Sequence, residues 1–308
     1  MADTFLSLAD LTTINDARLA DRQISDLLDK APLLAVLAAD VSPDTVHRYV
    51  KETAAPSVGF RDVNDGRENA DSTDTSVTST LEILDASFAV DQANADAYRH
   101  GREAYVGREA ERHLRAAFFK AETQVIGGTV SGSSDGFTGL ADELNALADT
   151  MMINGGASSG SDLSSVWAVK SGLNDVAVII GQGGEISMGE TVSQRIAGAT
   201  TGTFPALYTP ISGWMALQIG GTRSQGRICN LDDSSNKLDD DKVASLLELF
   251  PAGGWPDYLV MSRRSLRQLQ QSRTATNATG APAEFPSESF GVPIIASDGA
   301  GDAESAIS

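Results

Sequence analysis

Very little of the sequence suits covalent or metal-based stabilisation. Cys229 is the one cysteine, so no internal disulfide can form, and no CxxC pair or Cys/His cluster at metal-ligand spacing occurs. The N-terminus lacks the basic start and apolar core of a signal peptide, and no run of about 18 apolar residues appears. We therefore expect a soluble protein that folds inside the cell and is not exported by a classical route.

Positive charge is also scarce. Lys and Arg total 23 against 42 Asp and Glu, which gives a formal net charge of −19 at pH 7. A protein that grips nucleic-acid phosphates needs a basic surface, so any relation to DNA should be containment rather than tight binding. With 308 residues, of which 41% are hydrophobic, the chain can form one large domain or two modest ones.

The first 90 residues have little local core. Residues 5–38 predict an extended arm, with a helix near 21–30 where apolar residues follow the i, i+3, i+4 spacing of one helical face. Residues 51–90 predict two strands around an acidic, glycine-containing tip at 61–74. The second strand shifts its alternation near 83 and 84, which predicts a bulge or a change of partner there. Such a hairpin either lies on another surface or is exposed with a disordered tip.

One long helix is predicted within residues 91–126, which lack proline and are rich in Ala, Glu and Arg. Its apolar stripe, at helical spacing, consists of Leu114, Ala117, Phe118, Ala121 and Val125. A glycine costs about 1 kcal/mol inside a helix, so Gly101 and Gly107 can shorten it from its N-terminal side. The Gly127-Gly128 pair ends the helix, and a further helical pattern runs from Leu140 to about Met152.

The remainder of the chain predicts a mixed α/β region. Two strand pairs are expected, 166–169 with 176–180 and 214–219 with 227–231, each around a loop that contains glycine. Asp239 to Asp241 can cap a helix whose apolar face ends at Phe250, and Ser262 can cap another. Strands are predicted at Tyr258 to Met261 and Val292 to Ile295. The fold class is therefore α+β.

This order of segments resembles the capsid fold of tailed bacteriophages, the Hong Kong 97 type. Phe137-Thr-Gly-Leu140 looks like the family's junction after the long helix, and Phe290-Gly-Val-Pro-Ile-Ile295 resembles its aromatic-Gly-apolar-Pro strand. Val166-Trp-Ala-Val-Lys170 and Arg227-Ile-Cys-Asn-Leu-Asp232 are similar to positions in one branch of phage major capsid proteins. Together these motifs cover nearly the whole chain.

The resemblance implies a division into four parts: an N-terminal arm at 1–50, an extended E-loop at 51–90, a P-domain at 91–150 and 289–308, and an A-domain at 151–288. It implies a major capsid protein that assembles with itself as pentamers and hexamers into an icosahedral shell around double-stranded DNA. Arms and E-loops would lie across neighbouring subunits. Scaffolding, portal and cement or decoration proteins are the expected partners, and the virion is the expected location after folding in the host bacterial cytoplasm.

Two alternatives stay open beside this hypothesis. An encapsulin-like nanocompartment or a gene-transfer particle would have the same fold but different contents. An enzyme of unknown type is the other alternative, although no nucleophile, base and orienting group can be picked by their spacing. We therefore predict no enzyme activity, no catalytic, cofactor-binding or metal-binding residues, no cofactor and no membrane partner.

The founding member of the family links its subunits covalently through an E-loop lysine, so the lysine positions matter. None lies at 52–90, and the six are Lys30, Lys51, Lys120, Lys170, Lys237 and Lys242. We therefore predict no such cross-link. His47, His100 and His113 lack the spacing of a metal pair and are assigned solvated or interface roles.

Three further motifs each allow two interpretations. The acidic run at 232–241 lacks the glycine and terminal glutamate of an EF-hand, which favours a helix-capping loop over a calcium site. The Gly181-Gln-Gly-Gly184 segment completes no nucleotide-binding motif and is interpreted as a turn. A basic island in the second capped helix is either a solvated face or an intersubunit salt-bridge patch. It consists of Arg263, Arg264, Arg267 and Arg273.

Overall fold

The computed structural model describes residues 31–130, 136–181, 186–198, 202–276 and 281–308. The helix predicted near 21–30 lies outside these ranges. The elements up to the long helix are β1 (Ala38–Val41), β2 (Val46–Ala54), β3 (Thr73–Thr80), β4 (Glu82–Asp85), β5 (Phe88–Asp91), α1 (Gln92–Ala97) and α2 (Arg102–Gly127). The next are α3 (Leu140–Glu143), β6 (Met152–Asn154), β7 (Ser164–Val169), β8 (Val176–Ile180), β9 (Ser187–Met188), β10 (Val192–Ala197) and β11 (Thr203–Thr209). The last are β12 (Ile211–Ile219), β13 (Gln225–Leu231), α4 (Asp240–Glu248), β14 (Tyr258–Met261), α5 (Arg263–Thr276), β15 (Glu288–Ser289) and β16 (Val292–Ala296).

Strands β2 and β3 form the predicted long hairpin, antiparallel from Val46 opposite Thr80 to Ala54 opposite Thr73. The chain then changes partner at Leu81, which is buried, because β4 pairs with β12. It changes partner again at residues 86–87, since β5 pairs with β11. The predicted partner change is confirmed, and it occurs on both sides of residues 83 and 84.

The long helix α2 begins directly after Gly101, whose φ of +93° is a conformation that favours glycine. Gly107 lies inside the helix, so of the two glycines only Gly101 marks a boundary. The predicted stripe is confirmed: Leu114, Ala117, Ala121 and Val125 are buried and Phe118 is half-buried. With 26 residues the helix is about 39 Å long.

Two sheets meet along this helix. One has five strands in the order β1-β8-β12-β4, with β9 also on β12, and the other has six in the order β15-β16-β14-β7-β13-β6. Alternating side chains of β7 face opposite cores, because successive residues of a strand point to opposite faces. Trp167 and Val169 pack in the core that contains the end of α2. Val166 and Ala168 pack with α4 and α5.

Both predicted strand pairs in this region are wrong as hairpins. The four strands exist, but β7 and β8 lie in different sheets, and so do β12 and β13. Instead β7 pairs with β13 and β8 pairs with β12, both antiparallel. The glycine-containing loops at 171–175 and 220–224 therefore let each strand pass from one sheet into the next rather than reverse.

The helical pattern predicted from Leu140 to Met152 is also wrong beyond one turn. Helix α3 ends at Glu143, after which Asn145 donates to the Asp142 carbonyl and Asp149 accepts from the backbone of Ala146. Such side-chain bonds to the backbone compete with helix formation. Residue 152 starts β6, which runs parallel to β13.

The two capped helices and the two strands predicted after residue 239 are confirmed. Asp239 accepts from the Lys242 amide at the start of α4, and Ser262 accepts from the Ser265 amide at the start of α5. Strands β14 and β16 are parallel neighbours. The third sheet, in the order β10-β11-β5, packs with α1 and the first half of α2.

None of the helices in the described residues is both long enough and apolar enough to cross a membrane.

Candidate assembly surfaces

The hairpin tip exposes apolar side chains to solvent. Val58, Phe60 and Val63 are 76%, 103% and 89% exposed. Polar bonds within the tip shape it, because the Ser57 amide donates to the Ala70 carbonyl at 3.0 Å. A fully exposed aromatic ring is unfavourable in water, so this cluster suits a surface that contacts another molecule.

The base of the hairpin is fixed to β12. His47 Nε2 lies 2.6 Å from Gln218 Oε1, and the Ile219 amide donates to the Tyr49 hydroxyl at 3.3 Å. The His47 ring also lies 5.8 Å from that of Tyr49. His47 therefore helps to position the hairpin on its own subunit, and the solvated or interface role expected for it stays a prediction.

Lys51 lies within the hairpin, although the lysine count from the sequence considered only residues 52–90. Strand β2 starts at Val46, five residues before the expected start of the E-loop, so Lys51 belongs to the hairpin. Its ammonium group is paired with the Glu143 carboxylate, and its side chain is 13% exposed. The tip itself, residues 55–72, still contains no lysine. The predicted domain boundaries at 1–50, 51–90, 91–150 with 289–308, and 151–288 stay predictions.

An apolar groove lies beside the hairpin base, between α2 and strands β4 and β12. Its main cavity has a volume of about 430 Å³, and Ile83 and Trp214 on its wall are 56% and 38% exposed. An adjoining cavity of about 290 Å³ continues beneath β3. Both cavities are lined by Glu82, Gly136 and Phe137. The two cavities are therefore continuous, and they are together called the base groove below.

The other histidines have separate surroundings. His113 stacks on Phe88 with ring centroids 4.8 Å apart, and His100 meets Tyr98 edge-on at 5.5 Å. The structure therefore gives each of the three histidines its own aromatic neighbour. Among the described residues, no group of three or more His, Cys, Asp and Glu side chains is placed to hold a metal ion.

The acidic run forms a turn and a helix cap. Asp232 Oδ1 accepts from the backbone amides of Ser234, Ser235 and Asn236 at 2.8 Å each. These hydrogen bonds, led by that of Asn236, hold the pKa of the Asp232 carboxyl well below its ordinary value. Together with the Asp239 cap, this geometry favours the capping interpretation over a calcium loop.

Of the Gly181–Gly184 segment, only Gly181 is described, and its amide donates to the Trp214 carbonyl at 2.9 Å.

All four arginines of the basic island form ion pairs within the chain, which neither sequence interpretation anticipated. The pairs, with their distances, are Arg263–Asp298 at 3.0 Å, Arg264–Asp302 at 3.3 Å, Arg267–Asp233 at 2.5 Å and Arg273–Asp240 at 2.7 Å. The partners are 33 to 38 residues away along the chain, so no local pattern could reveal them. The island holds α5 to its own subunit.

Sequence reasoning also missed the role of Arg227, which it noted only as part of a family motif. The guanidinium of this buried residue lies 4.4 Å from the centre of the Trp167 ring. It donates to the Leu144 carbonyl at 2.7 Å, to Ser165 Oγ at 3.0 Å and to Glu304 Oε2 at 2.8 Å. Arg227 thereby fastens the C-terminal residues to the six-stranded sheet.

Comparison with known proteins agrees with this architecture. The family model "Major capsid protein GP7" matches residues 22–252, which is more than half of the chain. The solved structure of bacteriophage Epsilon15 is 18% identical, covers 87% of this chain and 88% of its own, and has a TM-score of 0.61. The capsid of bacteriophage JBD30 is 10% identical, with coverages of 87% and 90% and a TM-score of 0.49. An encapsulin from Synechococcus elongatus is also 10% identical, with coverages of 66% and 88% and a TM-score of 0.45.

No curated protein sequence matches the chain significantly. The likeness to the Epsilon15 structure shows the Hong Kong 97-type capsid fold, and the family match covers the arm's end, the hairpin, α2 and most of the sheets. The chain therefore belongs to the GP7 family of major capsid proteins and is a structural subunit of a tailed-bacteriophage capsid.

Proposed function

We propose that copies of this chain assemble as pentamers and hexamers into a closed icosahedral shell that encloses double-stranded DNA. The observation that carries this proposal is the exposed apolar hairpin tip around Phe60. A subunit that worked alone would leave this surface in water at a cost in solubility. Contact with a neighbouring copy removes it from water.

The length of the hairpin supports a contact between different copies. Strand β2 has nine residues, so at about 3.3 Å per residue it carries the tip about 30 Å away from its base. The base groove of the same chain lies at that base and is out of the tip's reach. We propose that the tip of one copy enters the base groove of the next. A head-to-tail contact of this kind can form the rings that pentamers and hexamers require, where the rotation from one copy to the next is a fifth or a sixth of a turn.

The charge of the chain supports containment of DNA. With a net charge of −19, the shell would expose enough carboxylate to its contents for packaged DNA to move without sticking. This role needs no catalysis, and we propose that the chain is not an enzyme. Scaffolding, portal and cement proteins would complete a virion whose shell protein folds in the host bacterial cytoplasm.

Substitution of Phe60 tests the proposal. Phe60→Ser removes the apolar contact, and because the ring is fully exposed the subunit should unfold at the wild-type denaturant concentration. We expect the yield of shells, counted by electron microscopy of particles from expressing cells, to fall about tenfold. Phe60→Leu keeps an apolar side chain and should assemble. Equal yields for wild type and Phe60→Ser would contradict the tip contact.

The contents of the shells separate the phage capsid from related particles. If shells are recovered from infected cells, extraction should release long double-stranded DNA. Shells filled with protein cargo would instead support the nanocompartment alternative.

A further inference from the structure

An aspartate followed by a glycine lies at the exposed end of the hairpin. Asp65 and Gly66 are both exposed, and a Cβ atom built on Gly66 would meet no described atom within 4 Å. The Gly66 amide donates to Asp65 Oδ1 at 2.8 Å, so this backbone nitrogen lies beside the side-chain carboxyl group of the preceding residue. Holding two reacting groups next to each other lowers the barrier to a reaction between them.

Two further hydrogen bonds shape this turn. The Asp65 amide donates to the Asp62 carbonyl at 3.3 Å, and Arg61 Nη1 donates to the Asp65 carbonyl at 3.1 Å. A cationic donor on that carbonyl draws electrons from the attached Gly66 nitrogen, which makes the proton of the nitrogen easier to remove. The same donor stabilises negative charge that develops on the carbonyl oxygen when water attacks the carbon. Arg61 therefore activates the peptide bond between Asp65 and Gly66.

The fold protects two other pairs of the same kind. Asn-Gly bonds generally react faster than Asp-Gly bonds, yet in the Asn154-Gly155 pair the glycine is buried and its amide donates to the Cys229 carbonyl at 2.8 Å. In the Asp298-Gly299 pair the glycine is also buried, and its amide donates to Ser297 Oγ at 2.9 Å. Neither nitrogen is free to turn toward the preceding side chain. The fourth pair of the sequence, Asp135-Gly136, begins outside the described residues.

We propose that Asp65 is a modification site, at which the Gly66 nitrogen attacks the side-chain carboxyl group and converts the aspartate to isoaspartate, with Arg61 activating the bond. The nitrogen bonds to Asp65 Cγ, and the bond from Cγ to its hydroxyl breaks, so that the hydroxyl and the amide proton leave as water. Water then adds to the main-chain carbonyl carbon of Asp65 in the resulting ring and breaks its bond to Gly66. Water is the only other reactant.

The product changes the backbone of the hairpin tip. Its main chain runs through Cγ of residue 65 and is one carbon longer there, so the turn at Asp65 is rebuilt. The exposed side chains of Phe60 and Val63 come shortly before this turn. The reaction needs only the free subunit, and the inference therefore does not rest on the proposed shell function.

Peptide mapping of the purified, unassembled chain tests the inference. After incubation in mildly acidic buffer, trypsin cuts behind Arg61 and Arg67, and electron-transfer fragmentation of the peptide between them distinguishes isoaspartate from aspartate at residue 65. We expect isoaspartate to accumulate there while Asn154 and Asp298 stay unmodified. Incubation in urea, which removes the fold, should reverse this order, with Asn154 reacting faster than Asp65.

Two variants identify the groups that take part. Gly66→Ala hinders the approach of the nitrogen with a methyl group that fits the open space, so isoaspartate at residue 65 should be lost. Arg61→Gln removes the cation and should slow the reaction severalfold, and trypsin releases the tip of this variant as a longer peptide. Both positions are exposed, so both variants should unfold at the wild-type urea concentration.

Three results would overturn the inference. The first is an unmodified Asp65 in the folded chain after a time that modifies Asn154 in urea. The others are equal rates at Asp65 and Asp298 in the folded chain, and a wild-type rate in Gly66→Ala. A wild-type rate in Arg61→Gln would overturn the role given to Arg61.

Discussion

Glu122 Oε2 on the long helix accepts a hydrogen bond from the Leu33 backbone amide at 2.7 Å, and so joins the end of the arm to the helix. The same oxygen lies 3.2 Å from the Leu34 amide, and the other carboxylate oxygen accepts from the Ser297 hydroxyl. Glu122 is fully buried in the subunit. One carboxylate therefore holds three segments that are distant in sequence.

The stability of this junction should depend on pH. Burial raises the pKa of Glu122 above its ordinary value, and the nearby Asp298 charge adds to this, although the three hydrogen bonds oppose it. The folded state therefore binds the proton more tightly than the unfolded state does. The free energy of unfolding should fall as pH rises from the ordinary value through the raised one.

Glu122→Gln, which cannot ionise, isolates this contribution. The unfolding free energy of wild type minus that of Glu122→Gln should decrease as pH rises above the ordinary glutamate pKa of about 4.3, because other carboxylates cancel in the difference. Urea titrations at several pH values measure it. A difference that stays constant over this range would contradict the assignment.

The Arg227–Glu304 pair should stabilise the subunit more than a surface pair does. Arg227→Met leaves the Glu304 carboxylate without its partner and should lower the free energy of unfolding by about 3–5 kcal/mol. Glu304→Gln should cost less, about 2 kcal/mol, because the amide oxygen can still accept from Arg227 and the guanidinium keeps its hydrogen bonds to Ser165 Oγ and the Leu144 carbonyl. Asp302→Asn, which breaks the more exposed pair with Arg264, is the matched control and should cost under about 1 kcal/mol. If Glu304→Gln and Asp302→Asn lower the free energy of unfolding equally, this ranking is contradicted.

The arginine pairs of α5 should matter little for assembly. Arg267 and Asp233 are each about half exposed, so Arg267→Glu should lower the free energy of unfolding by about 1 kcal/mol or less. The double variant Arg267→Glu with Asp233→Lys should recover part of that loss. Particle yield should remain at the wild-type level, and a clear drop would restore the intersubunit interpretation.

No covalent link between subunits is expected. The hairpin tip lacks lysine, and Lys51 on β2 is engaged with Glu143. Particles heated in SDS should therefore give a single band at the monomer mass of 32.2 kDa on electrophoresis. A ladder of larger species would disprove this prediction.

Local patterns in the sequence predicted those parts of the fold that local interactions decide. The stripe from Leu114 to Val125 located the long helix, and the Ser262 side chain located the start of α5. These features depend on residues within a few positions of one another. The shift in apolar alternation near residue 83, which predicted the change of strand partner, also depends on neighbouring residues alone.

Features that depend on distant residues were missed or misread. The loop around Gly172 has the composition of a hairpin turn, yet β7 pairs with β13, more than 50 residues further along the chain. Glu122 and Arg227 look like ordinary charged residues, because their partners are 88 and 77 residues away. For the assembly surfaces, the sequence indicated the hairpin but not the base groove, whose main cavity alone is lined by four separate segments.

A cryo-electron microscopy reconstruction of the particles formed by the full chain would locate each hairpin tip relative to its neighbours. We expect closed icosahedral shells in which the hairpin tip of each copy, with Phe60, lies in the base groove of a neighbour beside Ile83 and Trp214. Recovery of the chain as a stable monomer without any shells would contradict it.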